Sequence, residues 1–382
     1  MRPGRIVVAI DSFKGSLTSE EAGNSAAAGI KRAIPGCEVI VSPLADGGEG
    51  TAAALAGSLH GTMIKVKAHD PLGRVIGSEY GIIPGESGQT AVIEMAAAAG
   101  ITLLSHDELD VKRASTYGVG ELILDAINRG IRDFIICVGG SATNDGGAGM
   151  LEALGVGLLG ADSEPIRRGA AGLRDLTKIT LPEVSHLPEC RFRVACDVTN
   201  PLLGKKGCAA VFAPQKGAEE SEIPLLDAWM KNFADRAVEI FPAADPEYPG
   251  SGAAGGLGFA LRTFLGAELL PGAGLVIGAS GLEEKIKSAD IVVTGEGRID
   301  AQTAMGKAPS EVAKLAKRYS KPCVALSGCV GAGAGDCNAA GIDAFFPILR
   351  EVCGLEAALD RDYAAKNLAD TAEQVFRLIC AV

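Results

Sequence analysis

"RIVVAIDSFKGSLTSEEAGNSAAAGIKRAIPGCEVIVSPLA", residues 5–45, contains the first three elements of the fold. The β-branched run over 5–11 has the length of a fully buried strand. Thr18 and Glu21 stand at the spacing of a capping box, so a helix starts there. Ala26, Ala27, Ala28, Ile30 and Ala33 carry it on, and Gly36 lies just beyond its end. "CEVIVSPLA" (37–45) is the next strand, and strand–helix–strand is the unit of a parallel sheet.

The far end repeats this rhythm. "ADIVVTGEG" (289–297) reads as a strand, "SEVAKLAKRYS" (310–320) as a helix, and "KPCVALSG" (321–328) as a strand. "IDAFFPIL" (342–349) is a further strand candidate, followed by a closing helix over 364–382. Between the two ends the pattern differs. Residues 62–84 alternate apolar and polar around Pro71 and Gly73, as a hairpin does, and "TAVIEM" (90–95) is a short strand. "GELILDAINRG" puts Leu122, Ile123, Ala126 and Ile127 on one helical face with Gly130 as its cap. "RDFIICV" (132–138) and "RFRVACDV" (191–198) are strand-like. The expected fold is α/β with two domains: residues 1–65 with 285–382, and an inserted domain over 66–284.

Bulk properties narrow the function. A formal net charge of -11 disfavours nucleic acid and anionic membranes as partners, though local Lys and Arg can still meet a small anion. No apolar stretch approaches the ~20 residues that span a bilayer. The N-terminus enters a strand at once, so no signal peptide is expected and the expected location is the cytoplasm. The ten cysteines form no C-x-x-C and only four histidines accompany them, which argues against structural zinc. Glycine, with 51 residues, is about double the ~7% of average usage. These glycines cluster where apolar runs end.

Those ends also carry the polar chemistry. "VVAID" leads to Asp11, Ser12 and Lys14; "VIVSPLA" to Asp46 and Glu49; "FIICV" to Gly139, Gly140, Ser141, Thr143 and Asp145. "RVAC" leads to Asp197 and Asn200, and "IVVT" to Glu296, Arg298 and Asp300. Ligands bind beyond the carboxyl ends of strands in such sheets, so these clusters read as an active-site rim. "CVGGSATNDGGAGM" (137–150) matches neither G-x-G-x-x-G nor the P-loop pattern, so neither a nicotinamide site nor a P-loop NTPase is supported. Its glycines can still converge amides on an anion in front of a helix N-terminus; the competing reading is a tight strand-to-helix turn. Asp145 either touches a metal or caps that helix.

"ADGGEG" crowds Asp46 and Glu49, a repulsion that a cation or substrate hydroxyl would relieve; Asp-Gly is also an ordinary turn pair. Glu296 and Asp300 suit Mg2+, which takes one or two carboxylates plus substrate phosphates. A surface salt bridge to Arg298 is the alternative. Lys14 and Lys307 stand beside glycines, placed to meet phosphate or carboxylate or simply solvated. Asp197, directly behind an apolar strand, is expected to be partly desolvated and so to suit a general base; capping the next turn competes with that role. Phosphoryl transfer to a small hydroxylated acceptor fits this set best.

The ordered motifs "DSFKGSLTSEEA", "PLADGGEGT", "DPLGR", "AVIEMAAAAG", "GVGELILDA", "GGSATNDGGAGM", "RVACDVTNPLLG", "FAPQKGA", "GAAGGLGFAL", "TGEGRIDAQTAMGK" and "GIDAFFPI" resemble the type I glycerate kinase family of bacteria. One departure is Ile10, where the family more often has Pro. The resemblance implies ATP-dependent phosphorylation of D-glycerate with Mg2+, 2-phosphoglycerate being favoured over 3-phosphoglycerate. It also implies a Rossmann-like parallel-sheet domain formed by both termini, an inserted mixed α/β domain, and a ligand cleft between them. It adds Lys216, through "FAPQKGA", to the residues above.

Roles within this set follow from the chemistry of each residue. Asp197, Asp46 and Lys14 form the expected catalytic group, and Asp11, Ser12, Arg298, Glu49 and Asn200 the substrate group. Gly139, Gly140, Ser141, Thr143, Asp145, Lys216 and Lys307 are expected at ATP, and Glu296 and Asp300 at the metal. A kinase of another small hydroxy or sugar acid, and a non-catalytic metabolite sensor, are the alternatives.

Overall fold

Strand Arg5–Ile10 pairs in parallel on both of its edges in the computed structural model of the protein, which describes residues 2–45, 47–85, 88–182 and 186–381. The chain divides into two compact units. The terminal unit comprises Met1–Asp46, Gly57–Leu59 and Ala273–Val382; the inserted unit comprises Gly47–Ala56 and His60–Gly272.

The terminal unit holds a five-stranded, all-parallel sheet in the order Ala344–Pro347, Cys323–Val330, Ile291–Ile299, Arg5–Ile10, Glu38–Val41. Its strands are apolar at consecutive positions because both faces are covered. Ile6, Val8 and Ile10 face one core with helices Ser19–Ala33 and Arg361–Ala381; Val7 and Ala9 face another with helices Leu282–Lys287 and Ala308–Arg318. The capping box is present, with the Glu21 amide donating to Thr18 Oγ1 and the Thr18 amide to the Glu21 carboxylate. Helix Ala308–Arg318 starts two residues ahead of expectation, because Pro309 is accommodated in its first turn.

The inserted unit has a six-stranded mixed sheet in the order Glu268–Leu270, Arg191–Ala195, Asp133–Cys137, Gly88–Glu94, Val75–Gly85, Thr62–His69. The first four are mutually parallel and the last three antiparallel. The expected hairpin closes at buried Asp70, whose carboxylate accepts from the Leu72 and Arg74 amides, while Gly73 takes φ +86°. Helix Tyr117–Asn128 buries the expected face, Leu122, Ile123, Ala126 and Ile127. A small antiparallel ribbon, Gly157–Leu159 with Lys178–Thr180, completes the unit. Among the described residues every cysteine is free, and no helix is long and apolar enough to cross a membrane.

Helices Ser19–Ala33 and Arg361–Ala381 approach closely at Gly29, where a Cβ would lie 1.9 Å from the Ala369 carbonyl oxygen. Helix propensity alone makes Gly29→Ala stabilising by about 1 kcal/mol. The contact is with backbone and cannot yield cheaply, so overpacking dominates. Urea unfolding should show the variant destabilised by about 2 kcal/mol.

Candidate active site

The order of strands reverses between Arg5–Ile10 and Ile291–Ile299: from the first the chain moves to Glu38–Val41 on one side, from the second to Cys323–Val330 on the other. Open α/β sheets bind ligands at the carboxyl ends of strands at such a switch. Ile10 pairs with Gly295, and the Asp11 amide donates to the Gly295 carbonyl at 2.9 Å, so Asp11 and Glu296 leave the sheet side by side. Both are nearly buried. The Ser12 amide donates to Asp11 Oδ1 at 2.6 Å. The backbone of Phe13 and exposed Lys14 passes over Gly297.

Thr303 ties the neighbouring acids together. Its hydroxyl donates to Glu296 Oε1 at 2.6 Å and accepts from the Asp300 amide at 3.1 Å. Lys307 Nζ stands 3.7 Å from Glu296 Oε2, and Arg298 Nε 3.4 Å from Asp300 Oδ2. Asp300 Oδ1 caps the short helix Ala301–Ala304 through the Gln302 amide. Asp11, Ser12, Lys14, Glu296, Arg298, Asp300 and Lys307 thus gather on two adjacent strand exits of the terminal unit. No group of three or more His, Cys, Asp or Glu side chains among the described residues could hold a metal by itself.

The second cluster is the loop after strand Asp133–Cys137 in the inserted unit. Gly139 and Gly140 are exposed, and Gly140 has φ +73°. The amides of Gly139, Gly140 and Ser141 meet no acceptor among the described residues. Carbonyls do face inward: Gly140 O accepts from the Ile101 amide at 2.8 Å, and the Ala142 amide donates to Ala99 O at 2.9 Å. From Ser141 to Met150 the chain is buried.

Asp145 is fully buried, and both its carboxylate oxygens are occupied. Oδ2 accepts from the Thr116 amide (2.8 Å), Thr116 Oγ1 (2.9 Å) and the Gly149 amide (3.2 Å), and Oδ1 from the Gly147 amide (3.1 Å). Burial pushes its pKa up, and these donors oppose that rise. The expectation that the following helix turns its N-terminus toward an anion is corrected here. That helix, Ala148–Ala153, is short, and its first amides go to Asp145 and, from Met150, to Thr116 Oγ1. The chain supplies its own anion there. Among the described residues, Gly139, Gly140 and Ser141 keep open amides.

Lys216 is also buried, at 1% exposure, and its Nζ donates to Ser141 Oγ and to Thr143 O, each at 2.7 Å. Burial lowers its pKa to about 8. Among the described residues, Thr143 Oγ1 and both polar side-chain atoms of Asn144 have no partner, though they are buried. Behind them Ala254, Gly255 and Gly256 run through the left-handed region, and the Gly146 amide donates to Gly255 O at 2.9 Å. A Cβ on Gly255 would lie 2.0 Å from Thr143 O.

The third cluster is Gly47–Gly50 with Asp197. Gly47, at φ +86°, packs its Cα against Ala195 and Gly272, and Asp197 Oδ1 accepts from the Gly272 amide at 2.8 Å. Asp197 is exposed, which corrects the expectation of desolvation: the apolar strand ends two residues earlier, at Ala195. Glu49 is exposed. Asn200 donates from Nδ2 to Lys206 O at 2.8 Å and so braces its own loop. Asp46 lies outside the described residues.

A model of the Glycerate kinase family matches residues 6–380. The chain belongs to that family. Relatives named glycerate kinase include one from Halalkalibacterium halodurans, 43% identical over 95% of this chain and 97% of the relative. One from Escherichia coli, named glycerate 2-kinase, is 41% identical over 96% and 97%. A crystal structure provisionally named glycerate kinase 2, from Salmonella typhimurium, superposes with TM-score 0.89 at 40% identity over 99% of this chain and 98% of that one. The glycerate kinase family comprises phosphotransferases with an alcohol group as acceptor.

Within this member of the glycerate kinase family, sequence reasoning missed Thr303, Thr116 and Glu94. The Glu94 carboxylate accepts from the Gly50 and Ala52 amides, at 3.1 and 2.7 Å, and so holds the loop that carries Glu49. Burial raises its pKa. Its place at the end of "AVIE" was the available signal. Asp145→Ala would leave several buried donors unpaired, each at about 1–3 kcal/mol. Chemical denaturation should show a loss of at least about 3 kcal/mol.

Proposed function

We propose that the chain transfers the γ-phosphoryl group of ATP to D-glycerate, at the 2-hydroxyl in preference to the 3-hydroxyl. The observation that carries the reading is the run of open amides at Gly139, Gly140 and Ser141, donors without an acceptor among the described residues, ahead of a buried loop that Asp145 and Lys216 hold from inside. Such a nest suits phosphate oxygens. Membership of the family and the name of the Escherichia coli relative support glycerate and the 2-position.

The donor set fits Mg2+. Glu296 and Asp300 are hard oxygen donors on one strand exit, held by Thr303, and too few to cage a metal without substrate phosphates. When bound, Mg2+ would neutralise charge on the transferring phosphoryl group. The chain's own residues do the remaining work. Lys14 and Arg298 bind the glycerate carboxylate, beside Asp11 and Ser12. Lys307, next to Glu296, meets the nucleotide phosphates. Asp197, oriented by the Gly272 amide, takes the hydroxyl proton as the new P–O bond forms and the bond to ADP breaks. Asp46 is the second candidate for that proton; Glu49 and Asn200 line the acceptor. The chain would work as a domain of residues 1–65 with 285–382 and an inserted domain over 66–284, in the cytoplasm.

A coupled ADP-release screen over small hydroxy acids, with NMR of the product, tests the reading. Glycerate should be the preferred acceptor and carry phosphate on O2; release with no acid in the presence of Mg2+ would defeat it. Asp197→Asn should lower kcat at least a hundredfold, the usual scale of general base catalysis. Gly140→Val should raise KM for ATP far more than KM for glycerate, because it blocks the nest and puts a β-branched residue at positive φ.

A further inference from the structure

An ammonium group carries donors and no acceptor. Lys216 Nζ lies 2.7 Å from Ser141 Oγ, so that oxygen must accept, and the single hydroxyl proton of Ser141 has to point elsewhere. Among the described residues no protein acceptor receives it. Ser141 directly follows Gly139 and Gly140, whose amides are equally unclaimed. The second bond of Lys216, to Thr143 O, fixes the other side of the same turn. At 1% exposure the ammonium itself cannot reach a ligand.

We propose that Lys216 is a positioning residue for the phosphate loop: acting from inside the unit, it orients the Ser141 hydroxyl so that its proton joins the Gly139–Ser141 amides as a donor to an anion. This rests on the reading that the loop takes the phosphates of ATP. The charge of Lys216 acts one hydroxyl away from the anion, in a buried setting where screening is weak. A neutral amine would behave differently, because its lone pair can accept the Ser141 proton and turn the hydroxyl inward.

That difference gives the device a pH dependence. The titratable groups facing Nζ are Asp145 on the loop and Cys208 on helix Cys208–Phe212, and a negative charge on either favours the ammonium. Burial opposes them and is the larger effect, leaving Lys216 near 8 and the Cys208 thiol, pushed up to about 12, neutral. The oriented donor is therefore present below about pH 8 and lost above it. A bound phosphate favours the ammonium, so nucleotide binding just above pH 8 should take up a proton.

Steady-state kinetics and calorimetry with ATP at saturating Mg2+ test this. The wild type should show KM for ATP rising above pH 8, and at pH 8.5 binding should take up a fraction of a proton when two buffers of different ionisation enthalpy are compared. At pH 7.5, K216M and S141A should each raise KM for ATP about tenfold, the scale of one hydrogen bond to a charged group, with KM for glycerate little changed. The double variant should be no worse than either single one, and proton uptake should vanish. S141A removes only a hydroxyl, so it carries the test should K216M fail to fold. Additive effects, or a wild-type pH profile in S141A, would overturn the proposal. If Gly140→Val leaves KM for ATP unchanged, the phosphate-loop reading itself fails; if Gly140→Val raises it while S141A keeps the wild-type profile, only the role of Lys216 fails.

Discussion

The Asp145 carboxylate has no contact with water, and the second cluster is arranged around it. Removing a charge from solvent is expensive unless its lone pairs are filled, and here four protein donors fill them. Those donors come from Thr116, at the start of helix Tyr117–Asn128, and from the first amides of Ala148–Ala153. One side chain therefore locks two helix starts to one loop. With these groups satisfied internally, the run of open amides at Gly139–Ser141 lies just upstream. The loop's geometry is set on its buried side, and its chemistry is expressed on its exposed side.

The terminal unit solves a related problem differently. Asp11 and Glu296 come from strands far apart in sequence, and sheet pairing alone makes them neighbours. Each carboxylate has local partners: Ser12 for the first, Thr303 and Lys307 for the second. Thr303 matters most, since one hydroxyl both donates to Glu296 and accepts from the Asp300 amide. A neutral group can join two acids in this way without cancelling their charge.

The local part of the fold was legible in the sequence. The capping box at Thr18 and Glu21, the buried face of helix Tyr117–Asn128 and the turn around Pro71 and Gly73 are set by residues within a few positions of each other. The site was legible as a set of strand exits, because glycine and acids mark them. Its internal wiring was not. Lys216 reaches Ser141 across 75 positions, and Asp145 reaches Thr116 across 29, so no window of sequence contains both partners. A lysine after "FAPQ" looks like a surface cation, and only tertiary packing makes it a buried one. Asp197 went the other way: an apolar run suggested burial, yet the strand stops before the acid.

The close approach at Gly255 alters what so much glycine means here. The Cα atoms of Gly255 and Gly256 lie where any side chain would collide with the facing backbone, and three consecutive left-handed residues leave that turn one shape. Glycine in such a place does not loosen the chain; it lets two loops touch and so makes both stiff. A ligand arriving at this surface meets a template whose conformational entropy was lost when the protein folded, and little ordering is left to oppose binding.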